Sequence, residues 1–156
     1  RAGDNPQGQF MNIHSDFRDF ITSLQKNRVD FVVVGAFALA IHGHPRATGD
    51  IDVWIRPDRD NAGRLLDALH DFGFASVEIT AEDILSGKII QLGYPPVRID
   101  VITRLTGLTA EDIWNGRVEG PFGDLTVSYI SRECFIRNKR AIGRHKDLAD
   151  IDSLPS

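Results

Sequence analysis

The chain has 156 residues, a formal net charge of -4 at pH 7 and a pI near 5.7. Apolar residues make up 42% and charged residues 26%, which excludes a disordered, collagen-like or disulfide-scaffold protein. One cysteine, Cys134, and no apolar run of about 18 residues favour a cytoplasmic protein without a membrane span. We expect residues 1–10 to form a flexible tail and residues 11–156 a single domain.

Hydrophobic periodicity predicts helices and strands that alternate along the first half of the chain. Apolar residues at helical spacing predict a helix that begins at Ser15 or Asp16. A β-branched run predicts a buried strand, and Gly35 follows it directly. The elements predicted are a helix to about Asn27, a strand Asp30–Val34, a helix Ala36–Ile41, a strand Ile51–Ile55, and a helix that ends at Gly73.

In the second half, two Thr-Ala-Glu-Asp sequences, at Thr80 and Thr109, predict capped short helices. The remaining predicted elements are strands Lys88–Leu92 and Val97–Thr103, a hairpin of Arg117–Glu119 with Leu125–Tyr129, a helix from Ser131 to Ile142, and a last helix His145–Leu154. Because strands and helices alternate only partly, we expect an α/β or α+β fold with a mixed sheet flanked by helices.

Three aspartates are candidate metal ligands. Asp50 and Asp52 lie on one face of the predicted strand, because side chains alternate along a strand. Their Cα atoms would be roughly 6.5–7 Å apart, so both carboxylates can reach one hard cation or a metal pair. Asp100 interrupts a later apolar strand, where a buried acid needs a metal, a partner or water. Alternatively, the first two are turn formers and Asp100 faces solvent at a sheet edge.

Candidate anion contacts lie elsewhere in the chain. The turn at Gly35 and Ala36 can present free backbone N–H groups to phosphate, or it is only a tight strand–helix turn. Arg46 precedes the Asp pair and either contacts phosphate or holds its loop. Lys139 lies beside the apolar stripe of the last long helix, where it either neutralises phosphate or covers the core edge.

The helix that carries Lys139 belongs to a basic segment, 131–146, with six Lys or Arg and one acid. Such a segment indicates either a local anionic ligand or a solvated helix face. Asp147 and Asp150 follow it and are expected to pair with Arg144 or Arg46 rather than to act in catalysis. Trp54 shares the Asp50 face, where it either stacks on a base or packs in the core.

The ordered combination of these motifs resembles the nucleotidyltransferase superfamily, whose fold is polymerase-beta-like. The resemblance rests on Gly35-Ala36, on the segment 46–52, on Ile99-Asp100 and on a C-terminal basic tail, residues 138–150. That tail is similar to the ending of small prokaryotic members, including abortive-infection-type toxins. One departure is Ala36, since the family has Gly or Ser there, so a hydroxyl contact to phosphate is lost.

The resemblance implies roles for individual residues. Asp50, Asp52 and Asp100 would hold Mg²⁺ or Mn²⁺, and Asp100 would help to deprotonate the attacking hydroxyl. Residues that would contact the nucleotide are Gly35, Ala36, Arg46, Lys139 and Arg144.

The expected reaction transfers a nucleoside monophosphate from an NTP to an RNA end, a protein hydroxyl or a small molecule, with pyrophosphate as the leaving group. The resemblance also raises a toxin role with an antitoxin partner. The alternative function is a catalytically weak or inactive module that binds a nucleotide or a partner through the same fold.

Overall fold

The computed structural model describes residues 13–45, 48–74, 78–94 and 97–155, so the predicted tail 1–10 lies outside the described residues. Seven helices and six strands occur within these ranges. In chain order they are α1 (Ser15–Lys26), β1 (Phe31–Val34), α2 (Gly35–Ile41), β2 (Asp50–Ile55), α3 (Arg59–Phe72), α4 (Ala81–Leu85), β3 (Ile90–Tyr94), β4 (Val97–Ile102), α5 (Ala110–Gly116), β5 (Val118–Phe122), β6 (Leu125–Tyr129), α6 (Arg132–Ile142) and α7 (His145–Asp152).

Every predicted helix and strand is present, and no predicted end differs from the observed one by more than three residues. The first helix begins at Ser15, as predicted, and its N-cap is His14, whose Nδ1 accepts from the Asp16 backbone N–H. Both predicted capping boxes are confirmed, at Thr80 and at Thr109. The local signals therefore fix the order of elements.

The sheet is mixed and six-stranded, in the order β3-β4-β2-β1-β6-β5. Strand β2 runs parallel to β4 and antiparallel to β1. The register places Asp52 opposite Asp100 on one side and opposite Val34 on the other. The predicted mixed sheet is thus confirmed, and the strands that carry the candidate residues are direct neighbours.

The core covers both faces of the central strands. Ile51, Val53 and Ile55 are fully buried on one face of β2, as their alternation predicts. On the opposite face Trp54 is also fully buried, and its Nε1 donates to the backbone oxygen of Thr103. This contact supports the core-packing interpretation of the tryptophan. No helix in the described ranges is long and apolar enough to cross a membrane.

Candidate active site

Asp52 and Asp100 form a close carboxyl pair at the centre of the site. Burial is the main cause that raises the pKa of Asp52 to about 7, followed by a hydrogen bond with Asp100 and the charges of Asp100 and Asp50. Asp100 Oδ1 is buried and has no hydrogen-bond partner among the described residues. Asp52 therefore binds a proton more readily than an ordinary carboxyl group does, and a bound cation would oppose that.

Asp50 is held differently. Its Oδ2 lies 3.4 Å from Nη2 of Arg98, the residue that faces it across the β2–β4 pairing. Within the described ranges, no three His, Cys, Asp or Glu side chains lie in an arrangement that would hold a metal ion as it stands. The donor set nevertheless suits a hard divalent cation, since all three side chains offer carboxylate oxygen and Asp100 Oδ1 is unpartnered.

Gly35 lets the Asp52 carboxylate approach the backbone. A Cβ atom at this position would overlap the Asp52 side chain, and the backbone φ of +67° lies in the left-handed region. The glycine thus serves the carboxylate as well as the turn into α2, and its sequence motif alone does not show this. Ala36 follows in the first turn of α2 and, like Gly35 and Asp52, lines a cavity at this end of the strand.

Lys139 lies in the cleft beside the carboxyl pair, with 18% of its side chain exposed. Its Nζ is 3.5 Å from Asp147 Oδ1 and 3.5 Å from Asp150 Oδ2, and it lies 5.5 Å from the ring centroid of Phe135. Its positive charge also lowers the pKa of Asp52. The lysine is therefore aimed into the site, and its contact with phosphate stays a prediction.

Arg144 is bound to Asp147, as the sequence analysis expected for that acid. The Arg144 Nε donates to Asp147 Oδ2 at 2.7 Å, and Asp147 is fully buried. This hydrogen bond, with the charge of Lys139, lowers the pKa of Asp147 to about 2. Arg144 is thus engaged by an acid, and its contact with the nucleotide stays a prediction. Arg46 lies outside the described residues.

Two cavities meet at Asp52 and Lys139. The first, of about 290 Å³, is predominantly polar and brings together five of the predicted site residues, namely Gly35, Ala36, Asp50, Asp52 and Lys139. Lys146 also lines it, although in the sequence this lysine stands out only as one member of the basic segment 131–146. The second cavity, of about 280 Å³, is predominantly apolar and includes Arg144 in its wall.

Comparison with known proteins gives a likeness of fold. No protein-family model matches the chain, and no curated protein matches it. Among solved structures, the lincosamide antibiotic adenylyltransferase LnuA in its lincomycin-bound crystal form matches with a TM-score of 0.51 and 14% identity. The match covers 90% of this chain and 95% of that one. The chain therefore has a fold similar to that of a nucleotidyltransferase, and these comparisons offer nothing that bears on a toxin role.

Proposed function

We propose that this protein is a Mg²⁺-dependent nucleotidyltransferase that transfers a nucleoside monophosphate from an NTP to a hydroxyl group of an acceptor. The observation that carries the proposal is the pairing of Asp100 with Asp52, which lines a polar cavity together with Asp50, Lys139 and Lys146. The likeness to an adenylyltransferase fold supports it. Oxygen ligands beside lysines are the combination that phosphoryl chemistry needs.

The proposed step is an in-line displacement at the α-phosphorus. The acceptor oxygen forms a bond to that phosphorus, the bond to the pyrophosphate oxygen breaks, and the hydroxyl proton passes to Asp100. Asp50, Asp52 and Asp100 would hold Mg²⁺ or Mn²⁺, which neutralises charge on the phosphates when bound. For Asp50 to bind the cation, its ion pair with Arg98 would have to break. Lys139, Lys146 and the backbone at residues 35 and 36 would face the triphosphate.

A second candidate is a nucleotide- or partner-binding module with weak or no catalysis. Two observations favour it: Ala36 offers no hydroxyl, and Asp50 is paired with Arg98. The acceptor classes remain an RNA end, a protein hydroxyl and a small molecule, and the structural neighbour acts on a lincosamide antibiotic. A cytoplasmic toxin with a cognate antitoxin belongs to the same proposal as a physiological role.

Transfer from labelled NTPs, screened against small-molecule, RNA and protein pools, tests the proposal. Asp52→Asn should nearly abolish transfer, because it removes a charge that the cation needs. Lys139→Met keeps the apolar stem but loses the ammonium, so kcat/KM should fall roughly 10- to 150-fold, chiefly through KM. Asp67→Asn, an exposed change on α3, should leave transfer intact.

Full transfer by Asp52→Asn would contradict the mechanism. Full transfer by Lys139→Met would show that Lys139 takes no part in nucleotide binding. If no NTP is turned over but NTPs still bind, the binding-module function is the correct one.

A further inference from the structure

The second cavity has the walls of a binding site for a partly apolar molecule. Its apolar lining includes Ile89, Ile102, Leu105, Ile130, Phe135 and Ile142. Ile89 leaves 60% of its surface in solvent at this position, which is costly for a large aliphatic side chain without a ligand. The cavity also reaches Asp52 and Lys139, so a molecule inside it would touch the proposed reacting centre.

The wall of this cavity also carries an arginine whose positive charge is not paired with any described residue. Arg104 is exposed, and among the described residues no hydrogen bond or ion pair is found for its guanidinium. The group lies against Gly87, where an added Cβ would come within 2.7 Å of Nε and 2.8 Å of Cζ. Arg144 differs, because Asp147 already binds it. Arg104 is therefore placed on the cavity wall and available to an anion.

We propose that this cavity is the acceptor site, and that the acceptor is a small molecule with an apolar body, a hydroxyl and a carboxylate. This inference rests on the proposed function and deepens it. The hydroxyl would lie beside Asp52, which lines both cavities, and the carboxylate at Arg104, while the NTP occupies the polar cavity. The volume of about 280 Å³ suits a small ligand. The transferred group replaces the proton of that hydroxyl, and the carboxylate takes no part in the reaction.

A matched pair of probes isolates the role of the charge. ω-Hydroxydecanoate and decanediol share an apolar chain and a terminal hydroxyl, but only the first carries a carboxylate. Titration calorimetry on the full chain, with Mg²⁺ and a non-hydrolysable NTP analogue present, should show the acid binding about tenfold more tightly than the diol. A charge-assisted hydrogen bond to an exposed arginine has about that effect.

Three variants locate the binding. Arg104→Met keeps the length of the side chain and should abolish the preference for the acid. Ile89→Glu places a negative charge at the cavity wall and should weaken both probes. Arg59→Met, an exposed arginine change on α3, should bind both probes as the unmodified chain does.

Equal affinity for acid and diol, or an unchanged preference in Arg104→Met, would overturn the inference. The inference would also be overturned if this protein adds nucleotides to a short oligouridylate and does not bind ω-hydroxydecanoate. The melting temperature with NTP and Mg²⁺, measured on the same protein, separates the two proposals. If ω-hydroxydecanoate binds but NTP with Mg²⁺ does not raise the melting temperature, the proposed nucleotidyl transfer and the acceptor role are both overturned. In that case only the preference of the cavity for the acid over the diol would stand.

Discussion

At the scale of single residues, Gly35 meets two demands at one position. Its φ of +67° is a conformation that other residues adopt at a cost, and the space where a Cβ would lie is filled by the Asp52 carboxylate. Gly73 has a positive φ of +113° as well, yet nothing lies within 4 Å of its missing Cβ. The two glycines therefore separate backbone strain from displacement of a site carboxylate.

We predict that Gly35→Ala and Gly73→Ala both lower the free energy of unfolding by about 1–2 kcal/mol, because each places a side chain at positive φ. Only Gly35→Ala should also lose most of its transfer activity, since its Cβ must push Asp52 aside. Denaturant unfolding gives the stabilities, and labelled-NTP transfer gives the activity. Equal activity in the two variants would contradict the role assigned to Gly35.

The pKa of Asp52, raised to about 7, makes a prediction about stability and pH. In the absence of metal the folded state binds the proton more tightly than the unfolded state does, since the ordinary pKa is 3.8. The free energy of unfolding should therefore fall as pH rises from about 4 to about 7.

Asp52→Asn carries no such proton, so it should be more stable than the original chain at pH 8, by roughly 2–4 kcal/mol. At pH 4 the difference should nearly vanish. Denaturant unfolding at both pH values, with chelator present, measures this, and exposed Asp67→Asn is the control. A variant whose advantage did not grow with pH would contradict the raised pKa of Asp52.

At the scale of elements, α7 holds the lysine of α6. Asp147 binds both Lys139 and Arg144, and Asp150 also contacts the lysine. The short helix α7 is thus fixed to α6 by charge rather than by a large apolar face, since Leu148 is 43% exposed. Gly143, in the left-handed conformation, makes the turn between the two helices.

We predict that Asp147→Asn loosens Lys139 and raises the KM for NTP more than it lowers kcat. The physical reason is that a mobile Lys139 ammonium can still neutralise the phosphates, but it must first be ordered when the NTP binds. Asp152→Asn lies on the same helix and is exposed, so it should leave both constants unchanged. Steady-state kinetics over a range of NTP concentrations measure the split. A fall in kcat with unchanged KM would show that Asp147 does not act through nucleotide binding.

At the scale of the whole molecule, the sequence predicts most elements and few of the contacts between them. Capping boxes and periodicity are local, so Thr80, Thr109 and the helix at Ser15 could be read directly. The likeness to a known superfamily indicated that Asp52 and Asp100 meet. The pairing of Asp50 with Arg98 depends on the parallel register of two strands nearly 50 residues apart, which no local pattern encodes.

The same limit applies to the two cavities. Arg104 lies in the wall of the apolar cavity with its guanidinium close to Gly87, and neither residue stands in a recognisable motif. Lys139 is recognisable as a candidate because it borders the apolar stripe of its helix. Its two acidic partners, Asp147 and Asp150, are expected from the sequence to pair with Arg144 or Arg46, and their contacts with Lys139 are not predicted. Charge pairing across elements is therefore where sequence reasoning fails.

Binding of metal and nucleotide should act on the stability of the entire fold. A ligand that binds only the native state raises the free energy of unfolding by about 2.7 kcal/mol at a concentration of 100 times its Kd. For a domain of this size that corresponds to a rise in melting temperature of roughly 5–10 °C. Without a cation, the negative charges of Asp50, Asp52 and Asp100 would repel the triphosphate. We therefore expect the nucleotide to bind only together with the cation.

We therefore predict that melting rises by this amount only when an NTP and Mg²⁺ are both present, and by far less with either alone. Asp100→Asn should lose the joint effect, since it removes the negative charge that the cation needs and replaces one of the two carboxylate oxygens by an NH₂ group. Asp67→Asn should keep it. If no NTP at millimolar concentration shifts the melting temperature with Mg²⁺ or Mn²⁺, the polar cavity is not a nucleotide site.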